Sequence, residues 1–413
     1  MSEVITREAL ARLDADDPLA FARDHFDLPA GVNYFDGNSL GALPKRAAAR
    51  IEEVRAQWRD DLINAWNAHR WIHLPTEMGA RIAPLIGAQA HEVAVTDSTS
   101  VNLFKLVAAA LRLRPDRKVI VSQGDNFPSN LYMMQGLIDL IGREHELRLS
   151  ESQDVEDCIR DDVAVVCLTH VNFKTGAMHD MERITRLAKD AGAVMVWDLS
   201  HSAGSIPIDL NACGVDLATG CGYKFLNGGP GAPSFVYVAE ALHDVLAQPL
   251  TGWLGHAAPF DFSPEYEPAP GIARVLCGTP SIVSMASLDA ALEVFDGIDM
   301  RQVREKSMRL GQIFLDLVDE RCGEYGFTVE CPLDASRRGS QVCLGHDEGY
   351  RIMRALIDRG VVGDFRAPNV LRFGLTPLYQ RHVDVWDAVE TLREVMASEV
   401  WRDAKYERRD LVT

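Results

Sequence analysis

Short, almost uninterrupted apolar runs are the feature of this sequence that most restricts its fold. They occupy residues 118–122, 163–168 and 194–197 and are rich in valine. Strands that are apolar on both faces fit a parallel sheet covered by helices on both sides. Between the last two runs, residues 181–190 carry apolar side chains at helical spacing, and Gly192 follows as a stop signal. The sequence therefore predicts βαβ units and an α/β fold with a mostly parallel central sheet.

The length of the chain predicts two domains. Its 413 residues are 47% hydrophobic, and single cores usually stop growing beyond about 250–300 residues. Past residue 300 a helical pattern gives way to strand-like runs at 327–329 and 341–344. We expect a large domain over residues 46–290, a smaller C-terminal α/β domain over 291–413, and an N-terminal segment, 1–45, that contributes to the smaller domain.

Charge and cysteine spacing argue against several functional classes. The formal net charge is −18, whereas proteins that bind nucleic acids or membrane surfaces present basic faces. The eight cysteines include no CxxC pair, so neither a zinc site nor a disulfide framework is indicated. Residues 1–4 do not begin a basic and apolar leader, and no run approaches the roughly 18 apolar residues of a membrane span. We expect a cytoplasmic protein without metal, nucleic-acid or membrane partners.

Residues 194–231 carry the strongest indication of chemistry. A strand ends at Asp198, His201 follows, and Tyr223 and Lys224 precede a glycine-rich turn. A neutral lysine amine can condense with the aldehyde of pyridoxal phosphate, and a carboxylate at a strand end can keep the pyridine nitrogen protonated. His201 is expected near the ring or on that carboxylate. Singly, Lys224 would be a surface charge and Asp198 a turn residue; together they predict a pyridoxal 5'-phosphate site.

Several blocks of the sequence resemble those of the kynureninases, in the same order along nearly the whole chain. The blocks are YFDGNSLG at 34–41, WDLSHSAG at 197–204 and LRFGLTPLY at 371–379. The resemblance is close to bacterial members. It implies a fold-type I pyridoxal phosphate enzyme that hydrolyses L-kynurenine to anthranilate and L-alanine, within tryptophan catabolism and NAD biosynthesis. It also implies a homodimer with shared active sites.

The resemblance further implies roles for individual residues. Lys224, Tyr223 and Asp198 are the expected catalytic groups, and the planar guanidinium of Arg372 is expected to bind the substrate's α-carboxylate. Thr99, Ser100 and Tyr223 are expected at the cofactor phosphate, and Phe127 over its ring. The remaining expected cofactor contacts are Pro128, Ser129, Asn130, Thr169 and His201, with Trp253 and Thr279 reaching the neighbouring subunit's site.

Without the resemblance, these residues have simpler interpretations. The segment 97–100 would be an ordinary capped helix start, Phe127 a packed loop residue, and Trp253 a packing residue. Asn130 departs from the family, which usually has aspartate there. The amide keeps a hydrogen-bonding group but loses a negative charge, so we expect altered rather than abolished activity.

Two other functions remain open at this point. A cysteine desulfurase or selenocysteine lyase shares the fold and the aspartate–histidine spacing but needs a catalytic cysteine, for which Cys331 and Cys343 are the candidates. A cofactor-free binding or assembly protein on an enzyme fold is the second.

Preference for kynurenine over 3-hydroxykynurenine depends on one or two pocket contacts. The likeness to bacterial members favours kynurenine.

Overall fold

The computed structural model describes residues 5–142, 144–151 and 155–409. The prediction that residues 1–4 do not begin a leader concerns residues outside this range. Within the described part, short 3-10 helices join the longer elements. The α-helices are α1 Arg7–Ala15, α2 Lys45–Asp61, α3 Ala65–Ala68, α4 Leu74–Ile82, α5 Thr99–Leu113, α6 Pro128–Ile141, α7 Met181–Asp190, α8 Ile282–Ala291, α9 Met300–Cys322, α10 Gly349–Ile357 and α11 His382–Ala397. The strands are β1 Phe26–Asp27, β2 Asn33–Tyr34, β3 Leu43–Pro44, β4 Val93–Val95, β5 Val119–Gln123, β6 Glu146–Ser150, β7 Val163–Thr169, β8 Val194–Asp198, β9 Leu217–Gly220, β10 Phe235–Val238, β11 Thr328–Val329, β12 Gln341–Gly345, β13 Val361–Val362, β14 Asp364–Arg366 and β15 Val370–Gly374.

A seven-stranded sheet forms the centre of the molecule, with the order β4-β10-β9-β8-β7-β5-β6. Strands β6, β5, β7, β8 and β9 run parallel, whereas β10 runs antiparallel to both β9 and β4. Strands β7 and β8 are buried along their whole length, because helices cover both faces. The prediction of a mostly parallel α/β sheet is confirmed.

The predicted βαβ unit forms as expected. Asp180 caps α7 by accepting a hydrogen bond from the Arg183 backbone N–H at 3.0 Å, and Gly192 beyond its end has a φ of +76°. Strand β9 pairs with β8 and begins at Leu217, directly after Asp216. The Asp216 side chain accepts a hydrogen bond from the Met195 backbone N–H at 3.0 Å, which ties the start of β9 to β8.

A second, four-stranded sheet, ordered β11-β12-β15-β14, lies in the C-terminal part. Helices α9, α10 and α11 pack with it around a separate cluster of buried apolar side chains that also takes in Leu10 and Phe35. Strand β2 pairs with β13 in parallel. The N-terminal segment also contributes Leu19, Ala22 and Phe26 to the core beneath the large sheet. Residues before position 45 therefore pack on both parts of the molecule.

Candidate active site

Three polar residues meet at the carboxyl edge of the large sheet. Thr169 ends β7, Asp198 ends β8, and the register places Thr169 beside Asp198 and Asp198 beside Thr219 of β9. Parallel α/β sheets bind ligands at this edge, where all strand ends point the same way. Asp198 thus lies at the end of its strand, with Thr169 beside it.

Hydrogen bonds fix the orientation of the Asp198 carboxylate. Its Oδ1 accepts from the Ser200 backbone N–H at 2.9 Å and from the Ser200 hydroxyl at 2.6 Å. Its Oδ2 accepts from Asn130 Nδ2 at 2.8 Å. Both carboxylate oxygens are thus oriented before any ligand binds, as is typical of groups that tune a bound cofactor.

Asn130 is therefore a donor to the carboxylate at the centre of the site. Its Nδ2 also lies 3.3 Å from Thr169 Oγ1 and 3.4 Å from Asn126 Oδ1, and Thr169 donates its hydroxyl proton to Asn126. An ionised aspartate at this position has no proton to donate to Asp198. The amide thus gives Asp198 Oδ2 a hydrogen-bond donor that an ionised aspartate at position 130 could not supply.

Lys224 lies in the turn that follows β9, half-buried beside His201. The Lys224 Nζ and His201 Nε2 atoms are 2.9 Å apart and share a hydrogen bond. Burial, together with the Arg372 and Arg366 charges, lowers the pKa of Lys224. Burial and the Lys224 charge lower the pKa of His201 well below its ordinary value. A lysine with a lowered pKa carries the neutral, nucleophilic amine in a larger fraction of molecules near neutral pH.

Glycines make this tight turn possible. Gly228 donates its backbone N–H to the Gly222 carbonyl at 2.9 Å, which closes the turn around Tyr223 and Lys224. A Cβ on Gly222 would lie 2.4 Å from the Pro233 carbonyl oxygen, and one on Gly228 would lie 2.8 Å from the Gly222 oxygen. Only residues without side chains fit at these positions.

Lys224 opens onto a cavity of about 150 Å³ at the sheet edge. The Phe127 ring stands over it, with its centroid 5.9 Å from Lys224 Nζ and 5.2 Å from the Phe173 ring in an edge-to-face contact. The lining residues are Thr99, Ser100, Phe127, Ser129, Asn130, Thr169, Phe173, Asp198, Ser200, His201, Tyr223 and Lys224.

A neighbouring cavity of about 410 Å³ shares Thr99, Ser100 and Tyr223 with the first. Helix α5 begins here, capped by Ser98, whose hydroxyl accepts from the Val101 backbone N–H at 3.4 Å. The Thr99 hydroxyl is buried and has no hydrogen-bond partner within the described residues. A helix start with free backbone donors and an unpaired hydroxyl is suited to binding an anion.

Comparison with known proteins identifies the family. A kynureninase from Burkholderia mallei is 52% identical over 414 residues, which cover 99% of this chain and 100% of the relative. A kynureninase from Pseudomonas fluorescens is 48% identical with the same coverage. The chain belongs to the kynureninase family. Residues 303–392 also match the model of the kynureninase C-terminal domain.

Solved structures share the fold of this kynureninase family member at low sequence identity. The apo cysteine desulfurase of Thermococcus onnurineus aligns with a TM-score of 0.77 at 21% identity, covering 96% of this chain and all of that chain. The Escherichia coli cysteine desulfurase CsdA aligns with a TM-score of 0.75 at 18% identity, covering 92% and 98%. The expected fold-type I architecture is confirmed.

Most of the residues expected from the kynureninase resemblance lie together around the two cavities. Three of them, Arg372, Pro128 and Trp253, line neither cavity. Arg372 is buried behind the cavity lining: it binds Asp364, Ser39 and the Phe173 carbonyl. Pro128 begins α6 and is not among the lining residues.

The two residues that the resemblance assigned to the neighbouring subunit's site differ in their surroundings. Thr279 lines the 410 Å³ cavity from its own chain. Trp253 lies apart from both cavities and contacts the exposed rings of Phe260 and Phe262.

Phe173 and Ser200 line the site without having been expected there. Ser200 lies within the WDLSHSAG block, two residues after Asp198. In turns, an aspartate side chain often accepts a hydrogen bond from the backbone two residues further on, so this spacing could have identified Ser200 from the sequence. Phe173 lies in the loop after β7, where no periodicity indicates which way a side chain points.

No helix in the described ranges is long and apolar enough to cross a membrane.

Proposed function

We propose that this chain hydrolyses L-kynurenine to anthranilate and L-alanine, with pyridoxal 5'-phosphate as its cofactor. The observation that carries the proposal is the 52% identity to a kynureninase along the full length. A half-buried lysine paired with His201 and an oriented aspartate at the ligand-binding edge of the sheet support it.

The residues around the two cavities fit this cofactor. The unpaired Thr99 hydroxyl at the start of α5 suits a phosphate group. Asp198, with both oxygens oriented, suits a protonated pyridine nitrogen. Phe127 supplies an aromatic face near Lys224. These residues would hold the cofactor, with Ser100, Ser129, Asn130, Thr169, His201 and Tyr223 as further contacts.

Lys224 is the proposed base. When bound, pyridoxal phosphate supplies an aldehyde that condenses with the substrate's amine and a ring that accepts electrons from its α-carbon. Lys224 Nζ takes the proton from that carbon, because its lowered pKa favours the neutral amine. His201 holds the amine in place, and Asp198, whose two oxygens are oriented by Ser200 and Asn130, would bind the ring nitrogen.

Arg372 and Tyr223 act on the substrate itself. Asp364 and Ser39 fix the plane of the Arg372 guanidinium, which binds the α-carboxylate in competition with the Phe173 carbonyl. Burial raises the pKa of Tyr223 above its ordinary value, so that the phenol stays protonated and donates a proton during carbon–carbon cleavage.

The proposal extends to the domains, assembly and cellular place of the protein. Residues 46–290 bind the cofactor, and residues 291–413 form the smaller domain with the segment 1–45, supported by the cluster that joins Leu10 and Phe35 to the C-terminal part. The protein acts as a cytoplasmic homodimer in tryptophan catabolism, and supplies NAD biosynthesis where 3-hydroxykynurenine is also cleaved. It has no nucleic-acid or membrane partner.

The first test is turnover by the cofactor-loaded protein. We expect fast anthranilate fluorescence and stoichiometric alanine from L-kynurenine, and slower cleavage of 3-hydroxykynurenine. Lys224→Ala should abolish turnover, whereas Lys118→Ala, at an exposed lysine paired with Glu144, should leave it unchanged. Absence of cleavage of both substrates by a protein that binds the cofactor would overturn the substrate assignment.

A hybrid dimer tests the shared site. If Trp253 completes the partner's site, a Trp253→Ala variant and a Lys224→Ala variant, each nearly inactive, should regain activity when unfolded and refolded together, because each mixed dimer then contains one intact site. Co-refolding of Lys224→Ala with itself is the control. Mixed refolding without any gain over the control would show that Trp253 does not act across the interface.

A cysteine desulfurase activity is the second candidate, favoured by the structural neighbours. The structure weighs against it, since Cys331 and Cys343 are both buried and burial raises the pKa of each thiol. Reactive cysteines are exposed and have a lowered pKa. Sulfide release from L-cysteine would decide in its favour.

A further inference from the structure

Lys105 is a buried charge on α5 that the proposed chemistry does not use. Its side chain is 1% exposed, and its Nζ lies 2.6 Å from Asp97 Oδ2 and 2.8 Å from the Val275 carbonyl oxygen. Burial lowers the pKa of Lys105, and the Asp97 carboxylate opposes that shift. An ion pair that is desolvated on one side is weak evidence for a purely stabilising role.

The two partners of Lys105 begin the two walls of the larger cavity. Asp97 directly precedes Ser98, Thr99 and Ser100, and Val275 shortly precedes the segment 278–281. Both segments line the 410 Å³ cavity beside Tyr223. The ammonium group of Lys105, on α5, thus hydrogen-bonds to one residue beside each wall of the cavity.

The conformation of Asp97 depends on this contact. Asp97 has a φ of +47°, in the left-handed region that costs most residues energy. Its Oδ2 accepts from Lys105 and, at 3.0 Å, from the Thr96 hydroxyl, while its carbonyl accepts from the Ser234 backbone N–H. Without Lys105, an uncompensated carboxylate would stand directly before the helix start that is suited to an anion.

We propose that Lys105 is a positioning residue for the cofactor's phosphate: through Asp97 and Val275 it fixes the two walls of the phosphate cavity, and its charge balances the Asp97 carboxylate beside the bound dianion. The inference rests on the proposed cofactor. It assigns Lys105 no contact with the cofactor.

The test compares two ligands that differ only in the phosphate. Apoprotein is titrated with pyridoxal 5'-phosphate and with pyridoxal, and both dissociation constants are taken from the absorbance change. Lys105→Met should raise the constant for the phosphorylated ligand about tenfold or more, a size common for outer partners of a bound ion, and leave that for pyridoxal within about twofold. Lys118→Met is the matched control and should change neither constant.

The ratio of the two constants separates positioning from general loosening of the fold. A parallel rise for both ligands, or no rise in a folded Lys105→Met protein, overturns the proposal. If Lys105→Met does not fold, Asp97→Asn decides. Its amide oxygen can still accept the hydrogen bond from Lys105 and so keeps the wall in place, while the carboxylate charge is lost. Preference for the phosphorylated ligand should then increase, and an unchanged or weaker preference overturns the proposal.

Failure of the unmodified protein to bind pyridoxal 5'-phosphate would be a different result. It would overturn the proposed function first, and the role of Lys105 with it.

Discussion

At the scale of single residues, the neutral amide of Asn130 keeps a second negative charge away from Asp198. Asn130→Asp would put a second carboxylate oxygen where an amide nitrogen now lies 2.8 Å from Asp198 Oδ2. Two carboxylates at that distance cannot both be ionised, so the folded apoprotein should hold a proton that the unfolded chain releases. A raised folded pKa gives stability that is lost as pH rises. We expect the thermal midpoint of Asn130→Asp to fall, relative to the unmodified protein, between about pH 5 and 8.

The matched control is Asn64→Asp, at an exposed position outside the site. Its midpoint should follow that of the unmodified protein across the same pH range. If the thermal midpoints of Asn130→Asp and of the unmodified protein keep a constant difference across this pH range, the prediction is wrong. The carboxylates at positions 130 and 198 would then have moved apart, or solvent would screen their repulsion.

Sequence patterns predicted the residues of this site better than its contacts. Asp198 and Lys224 were predictable because a strand end and a glycine-rich turn are local signals. The amide donation from Asn130 and the burial of Arg372 were not, because both depend on which distant segments pack together. Arg372, for example, is held by Asp364 on the neighbouring strand β14 and by Ser39 from the N-terminal segment.

At the scale of elements, Gly79 lets α4 pack directly on β4. A Cβ at this position would lie 2.0 Å from the Val93 carbonyl oxygen and 2.9 Å from Ala94 Cα, both backbone atoms that cannot rotate away. Gly79→Ala should therefore destabilise the protein by roughly 1–3 kcal/mol or more, the usual cost of overpacking. The measurement is the shift of the urea or thermal midpoint of the apoprotein.

Gly136 offers the opposite case on α6. A Cβ there meets nothing within 4 Å, so Gly136→Ala should stabilise by roughly 0.5–1 kcal/mol through helix propensity alone. Equal effects of the two substitutions would contradict the packing account.

Strand β10 illustrates the limit of prediction at this scale: four residues inserted antiparallel between β9 and β4 carry no local sign of their partners.

At the scale of the whole molecule, Asp36 joins the N-terminal segment to the C-terminal sheet. Burial and the nearby Asp364 carboxylate raise the pKa of Asp36 to about 8, although Arg372 opposes the shift. Tyr34, Tyr379 and Arg366 also interact with it electrostatically.

The raised pKa of Asp36 predicts a pH-dependent stability. Between about pH 4 and pH 8 the folded protein holds a proton on Asp36 that the unfolded chain has released. This contribution to stability is complete below about pH 4 and is lost as pH rises through 8. Asp36→Asn removes the titration, so its thermal midpoint relative to the unmodified protein should increase from pH 5 to pH 8. Asp116→Asn, at an exposed site, should show a constant difference; the same constancy in Asp36→Asn would refute the assignment.

The position of β4 at the edge of the sheet has a consequence for synthesis on the ribosome. Its neighbour in the sheet is β10, which leaves the ribosome much later, and chains emerge from the N-terminus. The helix start after β4 therefore has no fixed place until residue 238 has been made, and its second wall follows only with residues 278–281. A nascent chain of this protein cannot capture its cofactor early. Loading must wait until well over half of the polypeptide exists, after Lys224 itself has been made.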